Sequence, residues 1–189
     1  LRRYKQNTDF AADLFFDEKL GMSLTWDKEM SIEDFIRDIL RHIDAVLYTD
    51  RRTGLFILKP IRKDYDEGTL LTLDESNVLS MSEFSKPTLG ELANSVTVNT
   101  WDKATDTTAS ATVQNSALYM IQGAEINTKI QYPGITNKKN AIRLAQRDLR
   151  SLSTSLVKCT IETTDVAEGL NLGDVFKLTW ADYEINELV

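Results

Sequence analysis

The sequence has very few of the residues that most often carry cross-links and catalysis. It contains one cysteine, Cys159, and one histidine, His42, among 189 residues. A single cysteine excludes an intrachain disulfide, and a single histidine excludes a two-histidine metal site. Any histidine-based triad would need His42, but the pattern places it in the last turn of a helix, where packing and the helix dipole explain it. Cys159 alternates with apolar neighbours, so we expect its thiol to pack like a small hydrophobic side chain.

Long hydrophobic runs and an excess of basic residues are also missing. No stretch approaches the roughly 18 uninterrupted apolar residues that a membrane span requires. Acidic residues number 29 against 22 basic ones, and the net charge is −7, so no surface-wide attraction to nucleic acid or anionic lipid is expected. We therefore expect a soluble chain with no sequence-specific nucleic-acid binding. Because the chain begins at Leu1 and not at methionine, we also expect it to be part of a longer protein.

The known catalytic and ligand-binding motifs are absent as well. There is no glycine-rich phosphate loop and no nucleophile elbow. The acidic residues at 64–67 lack the ligand spacing of a calcium loop, and an S-x-x-K match at 155–158 falls on a predicted strand without its companion motifs. These absences predict a protein that is not an enzyme and that uses no cofactor and no metal.

Apolar periodicity predicts an α+β fold. The fold would combine an antiparallel β-barrel or curled sheet and its packed helix with a smaller helix–hairpin subdomain. We expect a helix–helix–hairpin subdomain over residues 1–80 and an antiparallel β hub domain with one crossing helix over 81–189. Phe35, Ile39 and Ile43 should pack on the hairpin strand at 55–58. The predicted helices cover 8–20, 31–44 and 137–152, the hairpin covers 45–61, and the later strands cover 95–101, 108–114, 125–132, 156–164 and 174–180.

Charge is segregated along the chain. Residues 138–150 contain five basic residues and one acidic residue, whereas residues 162–189 contain seven acidic residues and one basic residue. Such segregation can orient protein partners, although simple solubility also explains it. The candidate interface residues are Arg143, Arg147, Arg150, Asp174, Asp182 and Glu184. Trp26, Trp101 and Trp180 could stack on sugars, but we expect core or interface burial for them.

Two long stretches resemble a family of phage tail proteins. They are SIEDFIRDILRHIDAVLYTDRRTGLFILKPIRKDYD at residues 31–66 and NAIRLAQRDLRSLSTSLVKCTIETTDVAEGLNLGDVFKLTWADYEI at residues 140–185, with the strand at 94–98 between them. The family includes tail-tip attachment proteins of lambda-like siphophages and hub proteins of gene transfer agents. The resemblance spans most of the chain, and its strongest feature is the order of helix, hairpin, strands, helix and Gly-Asp-Val-Phe strand.

The resemblance implies a virion structural protein of the tail tip, or baseplate hub. It implies three copies in a ring that closes the tail tube, contacts with other tail proteins (distal tail, tape measure and fibres), no catalytic residues, and a place in the virion tail after synthesis in the bacterial host cytoplasm. Two alternatives remain open. A receptor- or glycan-binding tail module would use exposed aromatic residues, and a cell-wall hydrolase domain would need a catalytic pair such as His42 with Cys159.

Overall fold

The structure, a computed structural model, describes residues 21–24, 29, 31–181 and 185–189. In chain order these residues form α1 (Ile32–Ile43), β1 (Ala45–Thr49), β2 (Phe56–Pro60), β3 (Thr72–Leu73), β4 (Val78–Ser85), β5 (Ser95–Asp102), β6 (Thr107–Gln114), α2 (Ser116–Gln122), β7 (Asn127–Gln131), α3 (Lys138–Leu152), β8 (Lys158–Thr163), β9 (Lys177–Trp180) and β10 (Ile185–Leu188). Short 3-10 turns lie at Leu89–Glu91 and Asp165–Ala167. The helix predicted over 8–20 lies outside the described residues.

The chain divides into two compact units, each made of separate stretches of sequence. The strand unit contains Asp44–Ser85 and Lys158–Val189, and the helix–sheet unit contains Lys86–Val157 with the described part of residues 13–43. The predicted domain boundary between residues 80 and 81 stays a prediction. The compact units follow a different division, because β4 pairs with β8, about 80 residues further along the chain.

The helix–sheet unit is a three-stranded sheet with one long helix against it. The strand order is β6-β5-β7, with β5 antiparallel to β6 and parallel to β7. Val96 and Val98 alternate to one face of the central strand, as the period of a strand requires, and pack with the apolar stripe of α3. Asn137 begins that helix because its side chain accepts a hydrogen bond from the Asn140 amide. The buried helix residues are Ala141, Leu144, Ala145 and Leu149.

The first helix belongs to the helix–sheet unit and not to the unit of the hairpin that follows it. The Ser31 hydroxyl caps α1 by accepting a hydrogen bond from the Asp34 amide. In α1, His42 and Ile43 are buried, and Phe35 and Ile39 are half-buried. The predicted helix–hairpin subdomain is therefore divided between the two units.

The strand unit contains three small sheets. β1 and β2 form the predicted hairpin, and Gly54 takes a positive φ of 67° in its turn, where a side chain would be strained. β9 lies between β10 and β3, and β4 pairs with β8 across two register shifts. Leu73, Val78 and Leu178 form the core that joins the last two sheets.

The α+β class is confirmed, with several antiparallel sheets. Among the described strands, the four separate sheets do not close into a barrel. Two pairs, β5 with β7 and β3 with β9, are parallel and not antiparallel as predicted. Across the described ranges, no helix has the length and apolar character needed to cross a membrane.

Candidate functional site

Arg147, predicted as part of a free basic face, is a structural residue within the helix–sheet unit. Its guanidinium donates to the carbonyl oxygens of His42 at 3.1 Å and Arg41 at 3.2 Å, at the C-terminal end of α1. It also donates to the Tyr132 hydroxyl at 2.9 Å and pairs with Asp148 at 2.9 Å. A cation is favourable at a helix C-terminus because the last carbonyl groups are unpaired and carry partial negative charge. Arg147 therefore holds α3 to the end of α1.

Tyr132 lies at the centre of this cluster and is only 2% exposed. Its hydroxyl donates to Asp148 at 2.6 Å, and the guanidinium groups of Arg41 and Arg147 lie 5.3 and 5.8 Å from its ring centre. Burial, and then the hydrogen bond to Asp148, raises the pKa of the Tyr132 hydroxyl. We call Arg41, His42, Tyr132, Arg147 and Asp148 the arginine–tyrosine cluster.

His42 is fully buried in the arginine–tyrosine cluster and uses both ring nitrogens internally. Nδ1 lies 2.6 Å from the Asp38 carbonyl oxygen, and Nε2 accepts a hydrogen bond from the Gly134 amide at 3.1 Å. This pairing fits the neutral ring, and burial lowers the pKa of His42. Of the two explanations given for His42, packing is therefore the one that applies, because a ring that accepts a hydrogen bond at Nε2 is not the charged form that the helix dipole would favour. A catalytic nitrogen must also reach its substrate, whereas both ring nitrogens of His42 are buried against backbone groups.

The other predicted interface residues lie in different settings. Arg143 and Arg150 are exposed on α3. Asp174 is half-buried in the strand unit. It forms an ion pair with Lys59, and its Oδ2 accepts a hydrogen bond from the Asn171 amide nitrogen at 2.7 Å. Burial alone would raise the pKa of Asp174, but hydrogen bonds from Lys59 and Asn171 outweigh it and lower that pKa. Asp182 and Glu184 lie outside the described residues.

An apolar surface that periodicity did not predict lies on α2. Met120 is 82% exposed and Ile121 is 68% exposed, although Leu118 of the same helix is buried. The Gln122 side chain donates hydrogen bonds to the carbonyl oxygens of Leu89 and Leu92. These bonds hold the turn that contains the exposed Leu89 beside the helix. We call Leu89, Tyr119, Met120 and Ile121 the α2 patch. Its signal in the sequence is Asn115 before the helix and Gly123 after it, an N-cap and a left-handed C-cap.

A second surface feature is a groove of about 350 Å³ on the helix–sheet unit. Trp101 is 47% exposed there and is therefore not a core residue, while the expected burial in an interface stays a prediction. Trp180 is half-buried in the strand unit, and Trp26 lies outside the described residues. The groove is lined by Asn99, Thr100, Trp101, Thr108, Gln131 and Pro133. We call it the Trp101 groove.

No metal centre is assembled from the described side chains, since no group of three His, Cys, Asp or Glu residues among them could hold an ion. Cys159 is half-buried on β8 in the strand unit. The described part of the helix–sheet unit thus carries the exposed α2 patch and the exposed Trp101 groove, together with a buried charged cluster that stabilises the fold.

A family model described as Putative phage tail protein matches residues 31–188. The chain belongs to this family of phage tail proteins. Family membership covers both stretches on which the sequence resemblance rests, and it favours a structural role in the virion tail. No curated protein matches the chain.

Among solved structures, this phage tail protein is similar to the 43 kDa tail protein of prophage MuSo2 from Shewanella oneidensis. The identity is 16% and the TM-score is 0.54, over 87% of this chain and 50% of the other. The likeness at this identity concerns the fold. The chain spans about half the length of that tail protein.

Proposed function

We propose that this phage tail protein is a structural component of the tail tip, or baseplate hub, in which three copies join into a ring that closes the tail tube. Support comes from family membership over residues 31–188 and from the fold shared with a prophage tail protein. In the virion it would contact other tail proteins, namely the distal tail protein, the tape measure and the fibres.

The observation that carries the assembly proposal is the α2 patch. Monomeric soluble proteins rarely leave large contiguous apolar surface in water, and such surface marks contact sites. Met120 and Ile121 project from a seven-residue helix that is capped at both ends, so their exposure belongs to a well-formed element. We assign the patch to a contact with a second copy of the chain.

A ring requires two unlike, complementary surfaces on each copy, because a head-to-tail contact joins different patches. The segregated charges provide further candidates. The basic contribution would come from Arg143 and Arg150, which are exposed on α3. The acidic contribution would come from Asp182 and Glu184.

The test is the solution mass of the intact full-length protein by light scattering. We expect three copies for the natural protein and a shift toward single copies for Met120→Ser with Ile121→Ser. Ile32→Ser is the control, because Ile32 is also an exposed aliphatic residue, on α1 of the same unit. Arg143→Glu with Arg150→Glu should weaken the assembly most at low salt, because the reversed charges repel the acidic partner surface and added salt screens that repulsion. A single-copy mass for the natural protein at all concentrations would contradict ring assembly.

A further inference from the structure

The Trp101 groove has the composition of a saccharide site. None of its six lining residues carries a charge, and five of them are Asn, Gln, Thr or Trp. We propose that this groove binds a neutral saccharide. The proposal is independent of ring assembly, because the groove and the α2 patch consist of different residues.

Strand register brings four of the groove residues to one face. Trp101 pairs with Thr108 across β5 and β6, and Asn99 pairs with Gln131 across β5 and β7. Paired residues share a face of a sheet, and α3 packs against the opposite face, where Val96 and Val98 point. Asn99 and Trp101 are two residues apart, which separates them by about 7 Å along the strand. This spacing is close to the width of one pyranose ring.

The chemistry of these side chains matches that of a neutral sugar. A pyranose ring has an apolar face of C–H groups that packs on an indole, and Trp101 offers a large ring with a polar N–H. Amide side chains both donate and accept hydrogen bonds, as sugar hydroxyl groups do, and Asn99 and Gln131 provide two of them side by side. An anionic ligand would lack a cationic partner among the lining residues.

The residues of the Trp101 groove lie on backbone that is held by hydrogen bonds, and a binding site needs such rigid support. The Tyr132 amide donates to the Asn99 carbonyl at 3.0 Å, and Arg41 donates to the Gln131 carbonyl at 2.9 Å. These bonds tie the edge strand β7 to the central strand and to α1. The side chains of Asn99 and Gln131 therefore project from a braced part of the sheet.

A protein partner is the competing occupant of the groove. The volume of about 350 Å³ suits one or two sugar rings and lies at the low end for small-molecule sites. Trp101 could anchor either occupant, but the other groove residues are Asn, Thr, Gln and Pro, and the exposed aliphatic side chains that would extend an apolar protein contact lie on the α2 patch. The lining therefore favours a saccharide.

The test is an NMR titration of the whole chain with cellohexaose, maltohexaose and chitohexaose. We expect saturable shifts of the Trp101 indole N–H and of the Asn99 and Gln131 side-chain amides with at least one of them. Trp101→Ala should weaken binding by about tenfold or more, the loss expected for an aromatic contact. Trp101→Phe should retain part of the affinity.

Phe56→Ala is the control, since it removes an exposed aromatic side chain outside both the groove and the α2 patch. Its affinity should equal that of the natural chain. The proposal is wrong if no oligosaccharide shifts these signals at about 10 mM, tenfold above a weak Kd of about 1 mM. It is also wrong if Trp101→Ala binds unchanged, or if the groove signals respond only to protein concentration, which would indicate a protein contact.

Discussion

Removal of the Tyr132 hydroxyl tests whether the arginine–tyrosine cluster stabilises the helix–sheet unit. Tyr132→Phe keeps the buried ring and its two guanidinium contacts but deletes the 2.6 Å bond to Asp148 and the 2.9 Å bond from Arg147. A hydrogen bond to a charged group contributes about 1.5–3 kcal/mol, and the lost bonds leave two charged partners less well satisfied in a half-buried site.

We expect the free energy of unfolding to fall by about 1.5–3 kcal/mol in Tyr132→Phe. For a chain of this length that is a decrease in Tm of roughly 3–12 °C, measured by circular dichroism. Tyr119→Phe is the matched control and should change the Tm little, because that side chain is exposed. An unchanged Tm for Tyr132→Phe would refute the stabilising role of the cluster.

Three further changes probe both units. Folding lowers the pKa of His42, so its contribution to stability is full above the ordinary pKa of about 6.5 and is lost as the pH falls below that value. In urea titrations from pH 7.5 to 5, the free energy of unfolding should therefore fall more steeply for the natural chain than for His42→Gln. Equal slopes would contradict this. Gly134→Ala should lower stability by about 1–3 kcal/mol, because the added Cβ would lie 2.7 Å from Leu24 Cγ, and an unchanged urea midpoint would show that the site relaxes. Asp174→Asn should remove stability that the natural chain has at pH 7 and loses on acidification, because the Lys59 pair lowers the Asp174 pKa; matching acid-unfolding curves would count against that pair.

Local patterns predicted the elements whose stabilising contacts are regular and short in range. Helix α1 was expected at 31–44 and is observed at Ile32–Ile43, and α3 was expected at 137–152 and is observed at Lys138–Leu152. Both have a complete apolar stripe and a polar cap. The hairpin was found because Gly54 marks its turn.

Elements that depend on distant partners were missed. Strand β4 lies between residues 61 and 95, where no element was predicted. Its inward residues meet β8 about 80 positions later, and its alternation is broken by two register shifts. The parallel pair of β5 and β7 was also missed, because strand direction is set by the crossover between them and not by either strand's own pattern.

The surfaces were predicted only in part. Val96 and Val98 point inward, and residues alternate along a strand, so Asn99 and Trp101 of β5 point outward. The exposure of Trp101 could therefore have been predicted from the pattern of β5 alone. The role of Arg147 could not be predicted in this way. Its position on α3 resembles that of Arg143, and its partners at His42 and Tyr132 belong to other parts of the chain. The exposed residues of α2 look like core residues in the sequence.

Immunogold electron microscopy can show whether this chain lies at the tip of the tail. Antibodies raised against the chain would be applied to intact virions, with antibodies to the tube protein as the control. We expect gold at the end of the tail opposite the head and none along the tube. Label spread along the tube, at the head, or absent from virions whose tips are exposed would contradict it.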